Sequence, residues 1–119
     1  MLHLIKRLEA AVRTLVGEGP VKQRLHGAYA RYLDDLSATD VPEPIRARFE
    51  SLHAAMHRSP AMGREGAIKI SVQKMSFTEA ARHAESIVEL YADVLRNTDR
   101  AEPLKVVHNE EKRYLGGRT

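Results

Sequence analysis

The sequence predicts an all-α protein, a small four-helix bundle or a pair of helical hairpins with an irregular or extended link near residues 59–75. Three observations predict it. Apolar residues recur at i, i+3, i+4 and i+7 over long stretches. The breaks between those stretches are short and rich in Gly and Pro. Only the segment 67–75 offers a strand-like alternation. The chain has 119 residues, 43% of them hydrophobic and 29% charged, enough for one modest core and too few for two.

The first stripe is Leu4, Ile5, Leu8, Ala11, Val12, Leu15 and Val16, with Gly17 as its stop. Residues 2–16 also read as a basic amphipathic segment, but a bundle helix is the simpler reading. Gly19-Pro20 restarts the chain, with Pro20 suited to a first helical position. Val21, Leu25, Ala28, Tyr29, Tyr32, Leu33 and Leu36 then form a second helix to about Ser37. The short joint makes the two helices antiparallel neighbours. Pro42 and Pro44 break the next segment. Ile45, Phe49, Leu52 and Met56 give a third helix ending near Arg58.

In the segment 67–75, Ile68, Ile70 and Val72 alternate with Lys69, Ser71 and Gln73, a strand pattern, although Ile68, Val72 and Met75 also fit a helix. A lone strand needs a partner, and the same segment of a second subunit would supply one. Ser76-Phe77-Thr78-Glu79 has the form of a capping box. It opens a last helix bearing Ala80, Ala84, Ile87, Val88, Tyr91, Val94 and Leu95, with a stop near Asn97. This defines one helical domain over 1–97 and a polar, flexible tail over 98–119.

Composition excludes several functions. No cysteine is present, so there is no disulfide framework, Cys-ligated zinc, iron–sulfur cluster or thiol nucleophile. No apolar run approaches the roughly 18 residues of a membrane helix, and no secretory pattern opens the chain. A bacterial cytoplasmic location and no membrane partner are therefore expected. No Walker loop, dinucleotide fingerprint, zincin motif or serine elbow occurs, so no enzymatic activity and no cofactor are expected.

The six histidines are His3, His26, His53, His57, His83 and His108. His53 and His57 stand four apart on one helix, a spacing that chelates divalent metals. Glu50 and His53 make one Glu-x-x-His, whereas di-iron bundles need two with further glutamates. The sequence therefore assigns no metal, and places both histidines half-exposed at the edge of the buried stripe. Gly63-Arg64-Glu65-Gly66 with the following Ile68-Lys69 resembles the Gly-x-x-Gly loop of KH domains, which implies a clamp on single-stranded nucleic acid. That fold uses three strands where this chain offers one at most, and Glu65 would repel phosphate. A plain turn accounts for the two glycines.

The net charge is only +3, but its distribution is uneven. Residues 1–33 and 46–74 are basic, and 34–45 and 79–102 acidic. Glu85, Glu89 and Asp93 form an acidic stripe, and Arg24 and Arg31 a basic one. Few aromatics and a limited core favour self-association. The sequence thus points to a non-enzymatic interaction or regulatory protein, most simply a homodimer. Its expected interface is Ile68, Ile70, Val72 and Met75, with Glu85, Glu89 and Asp93 facing Arg24 and Arg31. The alternative is a nucleic-acid-binding accessory protein with Arg46, Arg48, Arg58, Arg64, Lys69 and Lys74 on one surface.

Overall fold

A computed structural model describes residues 1–60 and 63–106. Helix α1 spans Leu2–Leu15, α2 Val21–Tyr32, α3 Arg46–Met56, α4 Gly63–Lys74 and α5 Phe77–Val106, with short 3-10 turns at Ala38–Asp40 and Glu43–Ile45. Among the described residues there is no strand, so the all-α class holds.

α1 buries Leu4, Leu8, Ala11 and Leu15, one face at helical spacing. It packs on α2 and α5. Gly19 takes a φ of 103° in the joint, a left-handed conformation that glycine adopts without steric cost. Pro20 is the N-cap in an extended conformation, one position earlier than expected. Each helix of this hairpin donates an arginine to the other's C-terminus, where carbonyls lack intrahelical partners. Arg24 donates to the carbonyls of Leu15 and Gly19. Arg7 donates to the Tyr32 and Arg31 carbonyls and pairs with Asp35. Arg24 is thus committed within its own hairpin and does not face the acidic stripe of the last helix.

α2 stops at Tyr32 rather than near Ser37, although Leu33 and Leu36 stay buried. The amides of Leu33 and Asp34 both donate to the Tyr29 carbonyl, closing the helix and turning Asp34 inward. The link that follows is tied locally. The Ser37 amide donates to the Asp40 carboxylate at 2.9 Å, and Arg46 donates to the Ala38 and Val41 carbonyls.

Residues 67–75 correct the strand expectation. α4 covers the segment and buries Ala67, Ile68, Ser71 and Val72, with Met75 just beyond. That set follows the helical period, and Ile70 sits half-exposed on its flank. The buried Ser71 hydroxyl accepts the Ser59 amide at 2.9 Å, satisfying a donor that would otherwise be costly. Gly63-Arg64-Glu65-Gly66 is the first turn of α4 and not a loop, which removes the likeness to a KH clamp.

α5 begins at half of the expected capping box. The Glu79 amide donates to the Ser76 hydroxyl at 3.0 Å. The Glu79 carboxylate turns instead to Arg58 at 3.1 Å and His83 at 3.6 Å. Desolvation raises its pKa, but Arg58 and His83 outweigh this and hold it below the usual carboxylate range. Ala80, Ile87, Leu90 and Val94 are buried, while Val88 is exposed. Asn97 is no stop, because α5 continues to Val106. Of the expected tail, residues 107–119 lie outside the described residues.

Candidate functional site

The most concentrated polar chemistry lies where the end of α2 meets α3 and the start of α4. Tyr29 is wholly buried on the last turn of α2. Asp34 follows that helix, its side chain 12% exposed. His53 lies on the last turn of α3 and His57 is the residue that caps it, their rings 4.4 Å apart between centroids. Arg64 reaches in from α4.

These groups form two hydrogen-bonded sets, Tyr29 with His53 and His57 with Asp34 and Arg64, which meet at the neighbouring imidazole rings. The Tyr29 hydroxyl bonds His53 Nδ1 at 2.6 Å. His57 Nε2 bonds Asp34 Oδ1 at 2.6 Å. Arg64 Nε lies 3.2 Å from Asp34 Oδ2, and Arg64 Nη2 donates to the Asp34 carbonyl at 2.7 Å. One donor atom each from Asp34, His53 and His57 lie within 4.8 Å of one another, the single His and carboxylate cluster of this kind among the described residues. His53 also lines a cleft of about 240 Å³ together with Phe49, Glu50 and Ser37, so the cluster has one edge open to solvent.

Burial, and then the Asp34 carboxylate, push the Tyr29 hydroxyl well above its ordinary pKa, so it stays protonated. Burial, and then the neighbouring His57, hold His53 below its ordinary pKa, so its ring resists protonation. A histidine whose folded pKa is lowered takes up fewer protons folded than unfolded. Its contribution to stability is therefore complete above the unfolded value of about 6.5 and is lost as pH falls through and below that value. The protein should lose stability to urea between about pH 7.5 and pH 5.5. The slope should be shallower in His53→Gln. An equal slope in the two proteins would show that other groups set it.

The structure separates the other expected site residues. Ile68, Val72 and Met75 are 1–3% exposed and belong to the core, so the interface assigned to them is corrected: they have no surface to offer. The acidic stripe is answered within the chain, with Arg48 bridging Glu89 at 3.0 Å and Asp93 at 3.3 Å. Arg31 and Glu85 are exposed. Of the six basic residues, Arg46 ties the 38–41 link, Arg48 holds Glu89 and Asp93, Arg58 holds Glu79 and Arg64 holds Asp34. Among the described residues, Lys69 and Lys74 are exposed with no such tie. Lys69 borders a groove between α2 and α4 with Lys22 and His26. There His26 Nε2 is buried without a hydrogen-bond partner among the described residues.

Asp34 is the member of the cluster that sequence reasoning missed. It stands in a run with Asp35, Asp40 and Glu43 that reads as a charge block. The available signal was its place directly after the buried Tyr29 and Leu33. Comparison with known protein families, curated proteins and solved structures finds no match to this chain.

Proposed function

We propose that the protein is a small non-enzymatic interaction or regulatory module of the cytoplasm that self-associates. The observation supporting it is an exposed apolar end of the bundle. Val16 and Phe77 are the most exposed large apolar side chains described, at 75% and 69%. Both lie at the end where α1 turns into α2 and α5 begins. Lys22, in the first turn of α2, places its ammonium 5.0 Å from the Phe77 ring centre and donates to the Gln73 carbonyl at 3.1 Å. An exposed Phe backed by a fixed cation resembles the centre of a small contact surface. This end replaces the 68–75 segment as the contact face. The non-enzymatic reading is supported by the partners of the two clustered imidazoles, Tyr29 and Asp34, which are groups of the fold itself. The cysteine-free sequence favours a reducing compartment.

Light scattering on the full chain tests the proposal, with the 260/280 absorbance ratio recorded on the same peak. Wild-type protein should elute with the mass of two chains and a protein-like ratio. Val16→Ser with Phe77→Ser should elute as a folded monomer. A wild-type monomer at all concentrations, or a double variant that remains dimeric, would overturn this contact face. A raised ratio that falls with salt would point instead to nucleic acid, although four of the six residues assigned to that surface are already paired.

A further inference from the structure

We propose that Asp34, His53 and His57 bind one divalent transition-metal ion of the zinc class. Two imidazoles and a carboxylate are a donor set that zinc, nickel and copper accept and that magnesium and calcium do not prefer. Three protein ligands leave a further position, as in open zinc sites.

Two donors about 2.0–2.2 Å from a common ion stand roughly 3–3.5 Å apart. The His57 Nε2 to Asp34 Oδ1 separation is 2.6 Å, and all three donors lie within 4.8 Å. Shifts of about an ångström, within reach of side-chain rotation, bring the set to ligand spacing. Binding of an ion replaces the hydrogen bond between His57 Nε2 and Asp34 Oδ1. The two histidines are pre-aligned by their i, i+4 spacing at the C-terminal end of α3, with ring centroids 4.4 Å apart.

The surroundings also fit. A metal-bound histidine usually has its other nitrogen held by a second group. The Tyr29 hydroxyl, 2.6 Å from His53 Nδ1, fixes the orientation of that ring. Arg64 Nε occupies Asp34 Oδ2, the oxygen that His57 does not use, and so orients the carboxylate with Oδ1 turned to the histidines. The Arg64 side chain is 65% exposed, so water screens its charge against an incoming cation. His53 lines a cleft open to solvent, and the His57 side chain is 21% exposed. The site lies at the opposite end of α2 from Val16 and Phe77, and it stands or falls independently of the self-association reading.

The test uses the full chain, untagged and stripped with chelator, titrated with zinc chloride in a calorimeter. One ion should bind per chain. His53→Asn, His57→Asn and Asp34→Asn should each weaken binding by more than about 100-fold, since even outer-shell changes cost 10–100-fold. Tyr29→Phe should weaken it by about 10–100-fold. His26→Asn with His83→Asn should bind as wild type does. A second measurement needs no variant: zinc should shift the histidine ring-nitrogen resonances of His53 and His57 in wild-type protein and leave those of His26 and His83 in place. No saturable binding, or binding that leaves the His53 and His57 resonances unmoved, would overturn the proposal.

Discussion

Val72→Lys is expected to destabilise the protein severely, while Ile70→Lys, two residues earlier, costs it little. Val72 is 3% exposed on the inner face of α4. A lysine there loses the valine's apolar burial and places an ammonium among core side chains without a partner. The expected cost is more than about 4 kcal/mol, against the roughly 5–15 kcal/mol of a domain this size. Ile70 lies half-exposed on the flank. A lysine there lays its methylene stem along the surface and keeps its charge in water, at about 1 kcal/mol or less. Far-ultraviolet circular dichroism and urea midpoints measure both. If Val72→Lys melts like wild type, the inner face of α4 has been misassigned. If both variants unfold, the face is broader than the burial pattern indicates.

That contrast shows why this segment misled sequence reasoning while others did not. α1 carries four buried residues over three turns, and no alternation competes with their period. In 67–75 the three β-branched residues Ile68, Ile70 and Val72 alternate by coincidence. The residues that complete the helical face, Ala67 and Ser71, are small, and one of them is polar. Their burial comes from α2 and α3 closing over them and from the Ser59 amide, none of which is local. The charge pattern misled for the same reason. A stripe such as Glu89 and Asp93 reads as unanswered until α3 brings Arg48 alongside. Half of the candidate site was legible, since the i, i+4 histidines are a local feature. Asp34 was not, because α2 must end at Tyr32 and turn inward before a residue in an acidic run becomes the partner of His57 and Arg64.

Asp34→Ala is the second large effect expected. The carboxylate accepts from His57 at 2.6 Å and lies 3.2 Å from Arg64 Nε, joining elements on both sides of the 35–45 link. Removing it leaves His57 Nε2 half-buried without its partner, while Arg64, being exposed, returns to water at little cost. It also removes the carboxylate from beside the buried Tyr29 hydroxyl, which keeps only its bond to His53. Hydrogen bonds to charged groups contribute about 1.5–3 kcal/mol, so a loss of about 2–3 kcal/mol in metal-free protein is expected. Asp34→Asn keeps the shape and an acceptor oxygen, and should lose roughly half as much. The diagnostic measurement is the double-mutant cycle with His57→Ala, whose coupling should be about 1 kcal/mol or more. Additive losses would mean that the 2.6 Å contact contributes no stability, and that the α2–α3 junction rests on core packing and the Tyr29–His53 bond. A coupling that grows when zinc is present in every arm would show that the ion engages this pair of side chains, linking the stability of the junction to the ion it binds.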